Sequence, residues 1–178
     1  MYKLELTDEQ IGTLTKQDLP TDAEYVGAGY ATVKEYLRHR DSGTRQELAV
    51  DYARVFLCAG MYEQLMAPPY ESVYTSEEDA RDSAVAFYLG EELGLPADNT
   101  TPEDHLSFEF QFMAKLIERA GAALDAGDEA RYAELCAKQR AFFDEHLANW
   151  VPRLCADVRA YAQTAFYRGV AAITEGFL

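Results

Sequence analysis

Apolar residues recur three and four positions apart along most of the chain, which is the spacing of amphipathic helices. This pattern predicts a short first helix over residues 8–18. It predicts a second helix over residues 22–39, where Gly27 and Gly29 weaken the helical signal. No segment shows the strict apolar-polar alternation of a half-buried strand, so the sequence predicts an all-α protein.

The middle of the chain predicts two helices separated by a proline-rich loop. After a turn at residues 41–44, a third helix is expected to end near Gly60. Its apolar face contains Leu48, Tyr52, Val55, Phe56 and Ala59. Residues 67–70 predict extended backbone, because the residue before a proline avoids the helical region. Residues 76–79 are mostly acidic and favour the start of a helix that runs to Gly94. The residues expected inside this helix are Ala84, Val85, Phe87, Tyr88 and Leu89.

Three further helices are predicted in the C-terminal half. Thr101 is expected to cap a long helix whose first residue is Pro102. The apolar residues of this helix fall in two stripes, which predicts a central position in a bundle. The stripes are Leu106, Phe110, Met113, Ile117 and Leu124, and Phe108, Phe112 and Leu116. Asp128 predicts the cap of the next helix, and a single last helix is expected from Pro152 to about Thr174.

The length and charge of the chain limit the expected number of domains and the expected class of partner. The chain has 178 residues, enough to bury one apolar core, so we expect residues 1–178 to form a single-domain helical bundle. Its 31 acidic residues outnumber the 16 basic ones and give a net charge of −15. Such a surface repels nucleic acid and anionic lipid and attracts a cationic partner.

Neither the cysteines nor the N-terminus indicates export. Cys58, Cys136 and Cys155 lie far apart in apolar helical segments, as expected of buried thiols in a reducing compartment. The N-terminus lacks the cationic and apolar regions of a signal peptide, and no stretch approaches the roughly 18 apolar residues of a membrane span. We therefore expect a cytoplasmic protein without stable membrane insertion.

The residue patterns of common enzymes and metalloproteins are missing. The sequence has no glycine-rich phosphate-binding loop, and His39, His105 and His146 have no partner at metal-ligand spacing. Asp104 and His105 resemble half of a general-base pair, but adjacent residues on a helix do not face each other. The simpler interpretation is that Asp104 satisfies the helix start and His105 begins an apolar stripe. We predict no catalytic site, no metal site and no cofactor.

Two segments remain as candidates for binding. Residues 68–74 combine two prolines with Tyr70, Glu71 and Tyr74, and such loops often carry function. A structural role, in which the tyrosines cover the bundle, is the alternative. The second segment is residues 102–108, which contains the Asp-His pair.

These segments and their order resemble the TorD/DmsD/NarJ family of redox-enzyme maturation chaperones. The matching pieces are Asp51-Tyr52-Ala53-Arg54-Val55-Phe56, Pro69-Tyr70-Glu71-Ser72-Val73-Tyr74, Pro102-Glu103-Asp104-His105-Leu106-Ser107, Glu109, Phe112-Met113, Gln139, Phe142-Phe143, His146-Leu147, Trp150, Pro152, Phe166-Tyr167, Gly169, Ala171, Thr174 and Phe177-Leu178. The resemblance covers about residues 48–178, whereas residues 1–45 match poorly.

The resemblance implies an acidic all-helical chaperone of the TorD-like type and not an enzyme. Members of the family bind the N-terminal twin-arginine leader of a molybdenum-containing oxidoreductase subunit. They hold this molybdopterin oxidoreductase precursor for cofactor insertion before export or assembly. A leader joins a cationic region to an apolar one, which suits a bundle with aromatic faces and excess acid.

The resemblance also assigns residues to leader binding. They are Tyr70, Glu71, Tyr74, Glu103, Asp104, His105 and Phe108. The acidic residues are expected to pair with arginines, and the aromatic residues to line an apolar groove. Where the family often has an acid just before the Pro-Glu-Asp-His segment, this chain has Thr101, so the acidic cluster is smaller here.

Three other functions remain open. The first is a nitrate-reductase-type assembly factor that binds a segment without twin arginines. The second is a helical adaptor for a folded partner. The third is a nucleotide-hydrolysing enzyme that uses Asp104 and His105, against which the missing phosphate loop argues. The residues specify neither the client nor an oligomeric state.

Overall fold

The computed structural model describes residues 5–59, 66–75, 79–95 and 98–178. Within these ranges the helices are α1 (Asp8–Lys16), α2 (Gly27–Arg38), α3 (Thr44–Phe56), α4 (Glu71–Thr75), α5 (Ala80–Gly90), α6 (Leu106–Asp125), α7 (Glu129–His146), α8 (Val151–Tyr161) and α9 (Ala165–Gly176). The same ranges contain no strand, which confirms the predicted all-α class. The predicted helix end at Gly60 and most of the predicted helix start at residues 76–79 lie outside the described residues.

The helices group into two compact units. The first unit contains Met1–Pro69 and Pro152–Leu178, and the second contains Tyr70–Val151. The expectation of one domain over residues 1–178 stays a prediction. None of the helices in the described ranges is long and apolar enough to cross a membrane.

In the first unit, α2 and α9 approach each other closely through glycine. A Cβ atom on Gly29 would lie 2.7 Å from the backbone nitrogen of Ile173 and 2.9 Å from the carbonyl oxygen of Gly169. Only glycine allows this separation, which explains a residue that weakened the helical signal. The helix begins at Gly27, later than predicted, because residues 21–22 and 24–26 form turns.

The predicted single last helix is wrong, because the chain turns between α8 and α9. The carboxylate of Asp51 on α3 accepts backbone N–H groups from Gln163 at 3.0 Å and Thr164 at 2.8 Å. It also accepts the Thr164 hydroxyl at 2.7 Å. Thr164 caps α9 in turn. The buried carboxylate of Asp51 therefore accepts hydrogen bonds from the backbone N–H groups that have no helical partner between α8 and α9.

The second unit has an aromatic core between α5, α6 and α7. The rings of Phe112 and Phe142 lie 4.7 Å apart, and Tyr88 packs 5.0 Å from Phe112. On α6 the stripe that contains Phe112 is buried. Ile117 and Leu124 on the other stripe are 56% and 58% exposed. The prediction that α6 is buried on both apolar sides is therefore wrong.

A buried carboxylate ties the same three helices together. Glu91, just after α5, accepts hydrogen bonds from Arg119 on α6 and Arg131 on α7, both at 2.7 Å, and pairs with Lys138. Burial alone would raise the pKa of Glu91, but the three cations outweigh it and lower the pKa to about 2. Glu91 is therefore ionised at neutral pH.

Some predicted inward residues lie at the surface. Ala59 is exposed because α3 ends at Phe56, one turn before it. Leu89 near the end of α5 is also exposed, whereas Ala84 and Tyr88 of the same helix are buried as predicted. Residues with helical spacing do form helices here, but the buried face of these helices is narrower than their apolar face.

Candidate functional site

The two segments singled out in the sequence meet in the second unit. Tyr70 and His105 form an antiparallel backbone bridge. The backbone N–H of Glu71 donates to the carbonyl oxygen of Asp104, and that of Ser72 donates to the Asp104 carboxylate, each at 3.0 Å. Asp104 therefore satisfies the start of α4 and not, as predicted, the start of its own helix.

His105 begins α6. Its Nδ1 atom accepts the backbone N–H of Ser107 at 3.0 Å and lies 2.9 Å from the Ser107 hydroxyl. Because Nδ1 accepts an N–H, this atom carries no proton. The helix starts at Leu106, so the predicted cap at Thr101 is wrong, and residues 102–104 form a turn.

Asp104 and the Nδ1 atom of His105 each bind a different part of the chain. The carboxylate binds the backbone of α4, and the ring nitrogen Nδ1 binds Ser107. The edge of the Tyr70 ring meets the His105 ring, with centroids 5.0 Å apart and planes at 85°. The arrangement holds two loops together, a structural role in which Asp104 contacts α4 and not, as expected, the start of its own helix.

A second histidine links α4 to α5 and α7. Glu71 Oε2 lies 2.8 Å from Nδ1 of His146, and Nε2 of that ring lies 3.2 Å from the Ser83 hydroxyl. The order of acid, imidazole and hydroxyl is that of a hydrolase triad. However, Ser83 lies within a helix, where its backbone N–H is bonded to the Asp79 carbonyl at 2.8 Å and offers nothing to an oxyanion. The chain of contacts therefore braces α4.

Most residues assigned to leader binding are buried. They are Glu71, Tyr74, Asp104, His105 and Phe108. Tyr70 and Glu103 are partly exposed, and the Glu103 side chain is 24% exposed and paired with Arg81. The hydrogen bond from Arg81 lowers the pKa of Glu103. Leader binding by these seven residues stays a prediction, and of the seven only Tyr70 and Glu103 are exposed enough to contact a leader directly.

Glu109 lies beside the site but is not among the residues that the resemblance assigns to leader binding. Its side chain is fully buried in the first turns of α6, where Glu71 and Trp150 are among its polar neighbours. Burial, followed by the charges of Glu71 and Asp104, raises the pKa of Glu109 well above its ordinary value. The available signal was its helical spacing from Phe112 and Leu116, which places it on their buried face.

An apolar cavity of about 330 Å³ opens beside the site. Its lining includes Tyr88, Leu93, Leu95, Phe108 and Phe112. Phe108 is the one member of the predicted set that lines it. Lys115 and Glu118 also line the cavity and bind each other at 2.7 Å. The cavity provides the kind of apolar surface that the sequence led us to expect near Phe108.

The buried acids do not form a metal centre in the part of the chain that the structure describes. There, no three histidine, cysteine, aspartate or glutamate side chains are placed to hold one ion.

Known proteins match most of the chain. Residues 19–156 match the family of the nitrate reductase delta subunit. This match begins well before residue 48, so it includes much of the segment that the motifs left without resemblance.

Several curated relatives are named chaperone protein TorD. The protein from Photobacterium profundum is 34% identical over 129 residues, which are 68% of this chain and 56% of the relative. The one from Vibrio parahaemolyticus is 27% identical over 136 residues, 74% of this chain and 60% of the relative. That from Shewanella pealeana is 26% identical over 186 residues, 98% of this chain and 76% of the relative. The chain thus spans 60% or less of the length of the relatives from Vibrio parahaemolyticus and Photobacterium profundum.

Proposed function

Because the chain belongs to the nitrate reductase delta subunit family, the family of the TorD, DmsD and NarJ chaperones, we propose that it is a maturation chaperone for a redox enzyme. It binds the N-terminal leader of a molybdenum-containing oxidoreductase subunit in the cytoplasm and holds the precursor until its cofactor is inserted. The relatives are named as chaperones, which agrees with the prediction that the chain is not an enzyme.

The convergence of the two predicted segments is the observation that carries this proposal. Tyr70 and Glu103 lie partly exposed at their junction, and Phe108 reaches from it to the apolar cavity. A leader has a cationic part and an apolar part, and the site offers an acid and an apolar surface in the same unit. The net charge of −15 draws a cationic leader towards the protein.

Glu103 is the acid available to a leader arginine without rearrangement. Its present partner, Arg81, has a side chain that is 58% exposed. Pairs in contact with solvent contribute little to stability, because water and salt screen them. An arginine of the leader therefore replaces Arg81 as the partner of Glu103 with little loss of free energy.

Calorimetric titration with synthetic leader peptides tests the proposal. A twin-arginine peptide is compared with its twin-lysine version, on the wild type and on Glu103→Gln. The matched control is Asp144→Asn, which removes one charge from an exposed ion pair with Arg140 on α7. We expect weaker binding of the lysine peptide, several-fold weaker binding by Glu103→Gln, and no change in the control. Failure of every leader peptide to bind would reject leader recognition and favour a helical adaptor for folded partners.

Assembly of a nitrate reductase is a second candidate, and the description of the matching family favours it. In that case the bound segment lacks a twin-arginine signal. Equal binding of the arginine and lysine peptides, with no effect of Glu103→Gln, would support this branch.

A further inference from the structure

Two residues of α5 hold Glu103, which lies in the turn before α6. Arg81 pairs with the Glu103 carboxylate, and the Tyr88 hydroxyl donates to the Glu103 backbone carbonyl oxygen at 3.0 Å. The two residues are seven positions apart, so they lie on one face of the helix. Arg81 is largely open to solvent, whereas Tyr88 is 5% exposed. Glu103 therefore has one weak contact through its side chain and one protected contact through its backbone.

Burial keeps the Tyr88 hydroxyl on this carbonyl oxygen. Burial, followed by the charges of nearby carboxyl groups, raises the pKa of Tyr88, so the phenol retains the proton that it donates. The ring packs against Phe112 and Phe142, with centroids 5.0 Å and 6.3 Å away. A buried hydroxyl that left its acceptor would lose a hydrogen bond without gaining one to water. The contact between Tyr88 and Glu103 is therefore a persistent one.

Tyr88 also shapes the apolar cavity beside the site. Its ring lines the cavity, and its backbone carbonyl oxygen accepts the N–H groups of Glu91 at 3.1 Å and Leu93 at 2.9 Å. These bonds end α5 in a turn in which Glu92 has a positive φ of 55°. After this turn the chain places Leu93 and Leu95 on the cavity wall. One residue therefore contacts both the acid and the apolar surface of the candidate site.

We propose that Tyr88 is a positioning residue of the leader site, which keeps Glu103 in place next to the apolar cavity when a leader arginine displaces Arg81. This inference rests on the proposed function. The displacement removes the contact of the Glu103 side chain with α5. It leaves the hydrogen bond from Tyr88 intact, because that bond goes to the backbone carbonyl. Tyr88 then holds Glu103 on α5 while the carboxylate binds the arginine.

Tyr88→Phe tests this inference, because it removes the hydroxyl and keeps the ring in the cavity. In calorimetric titration the twin-arginine peptide should bind roughly threefold to tenfold more weakly, as expected for the loss of one hydrogen bond. Tyr132→Phe is the matched control, since it makes the same change on the exposed side of α7, and it should bind the peptide as the wild type does. Equal binding by Tyr88→Phe and the wild type would overturn the inference.

A double-mutant cycle separates positioning from a general loss of stability. In the Glu103→Gln background, the charge that Tyr88 is proposed to position is absent. Tyr88→Phe should then weaken binding further by less than about twofold, because two changes that act through one contact are not additive. If Tyr88→Phe weakens binding as much in this background as in the wild type, Tyr88 does not act through Glu103 and the positioning role is rejected.

Hydrogen exchange in the free protein distinguishes this inference from leader binding. The His105 N–H is bonded to the Pro102 carbonyl oxygen at 3.2 Å, so its exchange rate, measured by NMR, reports whether the turn around Glu103 stays closed. Arg81→Gln imitates the displacement of Arg81. We expect faster exchange when Tyr88→Phe is added to Arg81→Gln, and equal exchange would reject the positioning role. Failure of every leader peptide to bind would reject the proposed function, and the exchange rates would still decide whether Tyr88 holds Glu103.

Discussion

Replacement of Glu91 by glutamine should destabilise the second unit, and the size of the effect follows from the pKa. The change keeps the shape of the side chain and removes the charge that Arg119, Arg131 and Lys138 share. A pKa lowered from 4.5 to about 2 corresponds to at most ~3.5 kcal/mol, at ~1.4 kcal/mol per pKa unit. The three cations are 24% to 37% exposed, and solvent screens them in part, so we expect a loss of ~2 kcal/mol at pH 7.

The direction in which the stabilisation by Glu91 changes with pH follows from its lowered pKa. Because the pKa of Glu91 is lower in the folded state, its stabilising effect is fully present above the ordinary value of 4.5. It is lost as pH falls towards about 2. The difference between the wild type and Glu91→Gln should therefore be constant from pH 7 to pH 5 and close on further acidification.

Urea unfolding followed by tryptophan fluorescence measures this difference. The chain has one tryptophan, Trp150, which is buried in the second unit and reports on that unit. Glu118→Gln is the matched control, since it makes the same change in an exposed pair with Lys115. A Glu91→Gln variant as stable as the wild type at pH 7, or a difference that persists unchanged near pH 3, would refute the reasoning.

Three further substitutions test other parts of the structure. Asp51→Asn should lower the free energy of unfolding by ~2 kcal/mol, because a charged acceptor for backbone N–H groups is lost. Urea unfolding followed by circular dichroism measures this loss, and an unchanged unfolding midpoint would contradict the prediction. Gly29→Ala should lower the melting temperature, because the new Cβ atom would clash with α9. Gly12→Ala is the control and should not lower the melting temperature, because the space around Gly12 is open. Equal effects of the two changes would argue against close packing of α2 on α9. Glu109→Gln should become more stable than the wild type as pH rises, because the raised pKa of Glu109 makes its ionisation oppose folding; a pH-independent difference in unfolding free energy would contradict this.

The candidate site was only partly predictable. The segments around Tyr70 and Asp104 stand out from the helical pattern and resemble a family, so their importance is visible in the sequence. That Asp104 serves α4 is not visible, because the bond to Ser72 joins residues 32 positions apart. Glu109 looks like an ordinary acid in a helix until the fold surrounds it with two other carboxyls.

The sequence by itself determined the all-α class and the approximate course of most helices, because helical hydrogen bonds and caps join residues a few positions apart. Tertiary structure alone decided which apolar stripe of α6 is buried, since exposed Ile117 and buried Phe112 are equally apolar in the sequence. It also decided the break between α8 and α9, because Asp51 lies 112 positions before Gln163, whose N–H it accepts. These features depend on which distant residues become neighbours in the fold, and this cannot be predicted from a local sequence pattern.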